Sequence, residues 1–346
     1  MSSIINESST VKNSNKISKF FQEFSCSIIT GIAKVSIIQP FDFIRYRIQS
    51  SRDYKINISN FITKLVNKEG FRVFLKGLDI TTLAVLLSSI VQFTLYQELL
   101  NYITKLTLNT YTGEFEIFNL IEIERKCMGN LKTNVDDDLL KSNTIKKISF
   151  LCSLAGFITG IGMGLILTPI DNVRIKLQSV QNINSTTKMI YRFNNSKDCI
   201  RYTLKTSGIH GFYIALPISI LRESIACTLY FGTFEYLKNK EKIKYNKKKI
   251  KLQNSFVYGA ICGGLNWIVT LPIDTIKTKL IADTIIPNNK NFTGVYDCFS
   301  KIYASSGLIG FYKGFSVVFT RALIVNGVVL TCFDLCRSKL VENHYK

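Results

Sequence analysis

Histidine is almost missing from these 346 residues: only His210 and His344 occur. The nine cysteines are scattered at 26, 127, 152, 199, 227, 262, 298, 332 and 336, with no C-x-x-C among them. No Cys/His cluster therefore has the spacing of a metal site, and histidine-based acid–base catalysis has no machinery. With no secretory signal at the Ser/Asn-rich N-terminus, a disulfide framework is not expected either, and the cysteines read as small core hydrophobes. Acids are scarce, 24 against 44 Lys and Arg, and the resulting charge of +20 calls for an anionic partner: nucleic acid, acidic lipid or an anionic substrate. The basic run from Lys238 to Lys251 has no recognition helix or aromatic platform beside it. It reads as a solvated loop touching acidic headgroups, and no nucleic-acid partner is expected. The string T-G-I-G-M-G at 159–164 lies inside an apolar stretch with no preceding strand, so helix packing explains it better than a dinucleotide site.

What the chain does have is long apolar segments. Ile148 to Ile170 and Asn254 to Ile273 carry no charge, and at about 1.5 Å per residue each nearly or fully crosses a hydrocarbon core of roughly 30 Å. Ile80 to Tyr96 is shorter and crosses once its flanks join in. Three further stretches hold isolated charges: Phe24 to Phe41 contains Lys34, Ile214 to Phe234 contains Arg222 and Glu223, and Phe315 to Phe333 contains Arg321. Six candidate spans in one chain make a soluble protein the minority reading.

Internal repetition organises the six. The strings Q-P-F-D-F-I-R, T-P-I-D-N-V-R and L-P-I-D-T-I-K put Pro40, Asp42 and Arg45 in register with Pro169, Asp171, Arg174 and with Pro272, Asp274, Lys277. Nine residues before each proline stands a glycine (Gly31, Gly160, Gly263), and a turn further back stand Ser27, Gly156 and Gly259. Small residues at i, i+4 let a neighbouring helix come close in a membrane. Downstream, Gly70, Gly208 and Gly307 align, followed seven residues later by Gly77, Ala215 and Gly314.

Three copies of that pattern are specific, and the chain resembles the mitochondrial carrier family over roughly residues 20 to 343. The resemblance implies an all-α membrane protein in the mitochondrial inner membrane, with six transmembrane helices in three pseudosymmetric repeats. A short amphipathic helix lies on each matrix loop and both termini face the cytosol. The expected organisation is a polar tail (1–19), repeat one (20–106), an inserted flexible loop (107–145), repeat two (146–242), a basic loop (243–251) and repeat three (252–343).

In each string the acid and base share one helix face, and the proline is expected to kink the helix so that three such faces meet. Pairing each acid with the base of the next repeat joins Asp42 to Arg174, Asp171 to Lys277 and Asp274 to Arg45, a ring that closes the matrix side in the family. Gln49 and Gln178 are similar to the family's glutamine braces, whereas Ile281 stands in the third place. The opposite, cytosolic gate is expected to pair Glu235 with Arg337 and to set Lys238 against Gln97, leaving Asp334 without a base from repeat one.

Ionisable groups within membrane spans usually line a pathway. Ala84, Arg222 and Arg321 occupy equivalent mid-span places that match the family's three substrate contact positions. An arginine fork holds a carboxylate in two hydrogen bonds, and Glu223 attracts an amine. The alternative is an internal Arg222–Glu223 or Arg321–carbonyl pairing. Lys34 either adds a third cation to the site or packs at a helix interface. In the family, cardiolipin binds where an aromatic-base-glycine string opens an even-numbered helix. Tyr312-Lys313-Gly314 matches that form, and Leu75-Lys76-Gly77 matches in part.

The expectation is a monomeric transporter, not an enzyme, with no cofactor. It moves a small carboxylated metabolite by alternating access: an amino acid, a basic amino acid or an acylcarnitine-like zwitterion. The alternatives are a carrier for S-adenosylmethionine, an oxo acid or another anion, and a carrier-like scaffold that no longer transports.

Overall fold

The computed structural model describes residues 35–51, 58–108, 137–179, 193, 195–245, 252–285, 291–322 and 324. Among these residues every regular element is helical. Helix α1 covers 35–50, and the amphipathic α2 spans Ile58–Glu69. Next come α3 (Leu78–Leu108), α4 (Asp137–Ser179), the short α5 (Ser196–Ser207), α6 (Leu216–Tyr245), α7 (Leu252–Asp283) and the short α8 (Val295–Ser306). The last described helix, α9, covers 315–322.

Among the described residues each repeat shows the same plan: a helix, a short one, a 3-10 turn, then the start of a further helix. The short helices end on Gly70, Gly208 and Gly307, all at positive φ, and the 3-10 turns Phe71–Leu75, Ile209–Phe212 and Gly307–Tyr312 follow. A left-handed residue stops a helix by turning the chain away, and glycine adopts it without a Cβ penalty.

Four segments are long and apolar enough to cross a membrane among the described residues: Phe71–Leu100, Ile145–Ser179, Ile209–Glu241 and Val257–Asp283. The other two expected spans, in residues 24–41 and 315–333, are described only in part. Lys34, Ser27, Gly31, Asp334 and Arg337 lie outside the described residues. Pro169 and Pro272 sit inside α4 and α7, each of which runs on past its proline.

Two expected loops are partly helical. Helix α4 begins at Asp137, within the segment read as a flexible loop to residue 145. Acids there favour a helix start, since they sit near its positive end. Helix α6 runs to Tyr245, into the expected basic loop, because lysine and glutamate are good helix formers even where they are all charged.

The closest packing is between α4 and α6. A Cβ on Gly156 would stand 2.8 Å from the Cys227 carbonyl oxygen, and one on Gly160 2.6 Å from that of Glu223. Gly164 similarly faces the Ile220 Cα at 2.7 Å. Glycines four apart thus form a groove on α4 in which the backbone of α6 lies, the arrangement expected where apolar lipid gives helices no hydrophobic reason to associate. This contact places Glu223, and with it Arg222, against the first helix of repeat two. Among the described residues the cysteines Cys152, Cys199, Cys227, Cys262 and Cys298 are free and buried.

Candidate functional site

The proline-acid-base strings of the three repeats converge. Arg174 Nη2 donates to Asp42 Oδ2, Lys277 Nζ donates to Asp171 Oδ2 at 2.6 Å, and Arg45 Nη2 lies 3.3 Å from Asp274 Oδ2. Each pair crosses between repeats, in the cyclic order read from the sequence. All six side chains are buried or nearly so. Tyr46 is inserted among them, its ring centroid 4.4 Å from the Arg45 guanidinium carbon and 5.5 Å from that of Arg174.

Gln49 Nε2 donates to Thr275 Oγ1 at 3.4 Å, and its carbonyl accepts from Thr278 Oγ1 at 3.1 Å. Gln178 Nε2 reaches Thr81 Oγ1 and the Lys76 carbonyl, both at 3.3 Å. Both glutamines therefore tie their own repeat to a neighbouring one just beyond the ion pairs. Ile281, in the third place, is fully buried among apolar side chains.

The two mid-span arginines do not stand apart from this ring. Arg321 Nη1 donates to Asp42 Oδ1, so one carboxylate receives arginines from two other repeats, with Arg45 Nη1 also 3.8 Å away. Arg222 Nη1 donates to Glu223 Oε1, the internal pairing, and its Nε lies 3.8 Å from Asp274 Oδ1. Ala84 is buried on α3. Among the described residues, five cations (Arg45, Arg174, Arg222, Lys277, Arg321) face four carboxylates (Asp42, Asp171, Glu223, Asp274) in one cluster.

Trp267, the single tryptophan of the chain, was not anticipated. Its ring centroid is 4.7 Å from the Arg321 guanidinium carbon, 5.2 Å from that of Arg45 and 5.6 Å from that of Arg222. It stands two helical turns before Asp274 on α7, and that spacing, which returns it to the face of the acid, is the signal that singles it out.

At the other end of the bundle Lys238 Nζ bonds Glu235 Oε1 at 2.8 Å on its own helix, and Glu235 also faces Asn239. Residues three or four apart on a helix face one another, so this pair needs no second element. The Gln97 side chain, Asp334 and Arg337 lie outside the described residues. The Gln97 backbone belongs to α3. Near the mouth Tyr96 stacks on Phe231, with centroids 3.6 Å apart.

Comparison with known proteins resolves what kind of bundle this is. The family profile described as mitochondrial carrier protein matches residues 16–107, 146–243 and 248–344. The chain belongs to the mitochondrial carrier family. Among similar proteins, mitochondrial substrate carrier family protein S of Dictyostelium discoideum is 24% identical over 312 residues, 89% of this chain and 93% of the relative. The glutamate/glycine mitochondrial carrier ymc1 of Schizosaccharomyces pombe is 23% identical over 324 residues, 92% and 94% of the two chains. The mitochondrial arginine transporter BAC2 of Arabidopsis thaliana is 27% identical over 186 residues, 53% and 57%. This carrier is thus a transporter of the mitochondrial inner membrane with the six-helix, three-repeat fold, not an enzyme, and its partners are small-molecule metabolites.

The positions read as lipid contacts separate in this carrier. Gly77, at positive φ, lines a cavity of about 410 Å³ between the start of α3 and the start of α5, with Lys76, Asp79 and Lys197. Lys313 instead turns inward, its ammonium on the Ser51 carbonyl at 2.9 Å and hydroxyl at 2.6 Å, beside Gly314.

Proposed function

We propose that the carrier moves a small carboxylated zwitterion, an amino acid, a basic amino acid or an acylcarnitine-like molecule, through a central site of Arg222, Glu223, Arg321, Ala84 and Trp267. The observation that carries this reading is the arrangement of Arg222 and Arg321 around one tryptophan ring, both within 6 Å of its centroid and both in reach of the matrix-side acids.

The charge count supports one anionic group. Five cations against four carboxylates leave an excess of one that a substrate carboxylate meets, while the ammonium of a zwitterion turns to a carboxylate of the cluster and leaves the net charge unchanged. An arginine fork accepts that carboxylate in two parallel hydrogen bonds. Once Arg222 turns to it, Glu223 is released to meet an ammonium, and the face of Trp267 offers a second contact for a cation. The names of the arginine and glutamate/glycine carriers among the relatives fit such a ligand.

The same contacts couple binding to movement. Asp42, Arg174, Asp171, Lys277, Asp274 and Arg45 form the matrix gate, braced by Gln49 and Gln178. A carboxylate that draws Arg321 from Asp42 and Arg222 from Asp274 removes two ties from gate acids at the moment it binds. A ligand shifts a two-state equilibrium only through differential affinity, and roughly 5.5 kcal/mol takes it from 1:99 to 99:1. On the cytosolic side Glu235 and Lys238 pair within one helix. The Gly77 cavity is the site for an acidic phospholipid headgroup, with cardiolipin the expected lipid.

Uptake into proteoliposomes tests the site. Arg222→Ala and Arg321→Ala are expected to abolish transport of amino acids while the purified proteins still unfold cooperatively; variants that transport normally place the site elsewhere. Glu223→Gln distinguishes substrates, since an oxo acid has no ammonium for Glu223. Loss of zwitterion uptake supports this reading, and unchanged uptake of an oxo acid in the variant favours the anion carrier.

A further inference from the structure

Repeat one contains an ion pair that has no counterpart in repeat two among the described residues. Arg47, seven residues after Pro40, is 4% exposed and holds Glu69 through two hydrogen bonds of 2.6 and 3.0 Å. Glu69 is the last residue of α2, immediately before the left-handed Gly70. The pair pins the short matrix helix to the end of the first long helix.

Seven residues after Pro169 stands Lys176, only 2% exposed. The residue before the left-handed Gly208 is not an acid but Ser207, the exposed end of α5. Among the described residues the Lys176 ammonium meets Thr203 Oγ1 at 3.3 Å and no carboxylate. The chain from 180 to 195 contains no Asp or Glu, so the adjoining loop supplies none. A buried ammonium with a single hydroxyl partner is costly, because burial removes the water that would complete its three hydrogen bonds. In repeat three the corresponding Ser306 has a buried hydroxyl oxygen. In repeat two an exposed serine thus stands at the place of Glu69, and the lysine at the place of Arg47 is buried with no carboxylate among the described residues.

We propose that Ser207 is a phosphorylation site, and that its phosphate takes the place at α5 that Glu69 fills at α2, pairing with Lys176. The Ser207 oxygen attacks the terminal phosphorus of a nucleoside triphosphate held by a protein kinase. The new P–O bond forms as the bond to the nucleoside diphosphate breaks, and the hydroxyl proton passes to the kinase base. A phosphoserine carries −1.5 to −2 charge and three acceptor oxygens, about the reach of a glutamate with more charge. It closes the second repeat's clamp on demand, where the first repeat's is permanent. The stiffened element is the matrix helix that begins at Ser196, beside the Gly77 cavity.

Two measurements on the full chain decide it. Phosphoserine installed at 207 by codon suppression is expected to raise the melting temperature in detergent by at least about 2 °C and to slow hydrogen exchange of the 196–207 amides. The effect vanishes in the Lys176→Met background, and Ser207→Glu gives a smaller shift with the same dependence on Lys176. No shift, or an equal one without Lys176, overturns the pairing. Tryptic cleavage after Lys205 and Arg222 places Ser207 in one peptide with Thr206, Tyr213 and Ser219, and fragment-ion mass spectrometry of protein from native mitochondria is expected to place a phosphate on Ser207. Its absence there under all growth conditions overturns the modification, even if the installed phosphate pairs as described.

Discussion

Arg321 of repeat three donates a hydrogen bond to Asp42 of repeat one, on the carboxylate oxygen that Arg174 of repeat two leaves free. One buried acid thus joins all three repeats. Asp171 and Asp274 lack a comparable pair of hydrogen-bonded arginines among the described residues, so the threefold plan is not a threefold energy.

The unequal sharing makes Asp42 the most sensitive of the three acids. Asp42→Asn leaves Arg174 and Arg321 facing an uncharged group in a buried site, which costs about 3 kcal/mol or more when a paired charge is stranded. Asp171→Asn strands only Lys277 and costs less. Thermal unfolding of the two variants in detergent checks the order; an equal loss contradicts it. Arg321→Met in the Asp42→Asn background recovers part of the stability, since the two changes act on one contact and are not additive.

The ring was legible because its string occurs three times: one proline-acid-base motif means little, whereas three in register prescribe which residues meet. Features present once were not. Trp267 has no counterpart in the other repeats, so stacking the strings passed over it. The Lys238–Glu235 bond was missed for the opposite reason, because reading across repeats overlooked a partner three residues away on the same helix. The helix start at Asp137 was hidden by its own acids, which look like a loop yet suit a helix N-terminus.

The glycine groove of α4 separates two neighbouring substitutions. Gly160→Ala drives its Cβ onto the backbone of Ser224 and Glu223, which belongs to a packed helix and does not yield cheaply. Overpacking of this kind costs about 1–3 kcal/mol. Gly162→Ala meets only the tip of the Leu95 side chain, which can rotate, and is expected to be nearly neutral. Melting temperatures of the pair, with uptake as a second reading, check the contrast.

Two thiols on the matrix helices should be silent. Burial pushes the Cys199 thiol up to about 11 and that of Cys298 up to about 12. The thiolate is the reactive form, and at pH 9 only about 1% of a group with pKa 11 is ionised. Maleimide is therefore expected to leave both unlabelled in the folded protein at pH 7 and at pH 9, and to label them after denaturation; mass mapping of labelled peptides reads the result.

Trp267→Leu removes the ring that faces three guanidinium groups. If a substrate cation also uses that face, KM for a cationic or zwitterionic substrate rises about tenfold, in line with a cation–π contact of roughly 1–2 kcal/mol. Trp267→Phe keeps an aromatic face and loses less. A change in kcat with KM untouched would instead make the ring a support for the arginines alone.

Because that ring is the chain's single indole, its emission is an unlabelled reporter of the central site. No other residue contributes tryptophan fluorescence, so any change in wavelength or quenching on adding a metabolite arises where the charges of the three repeats meet. The carrier comes with its own optical probe, seated where a titration would need it.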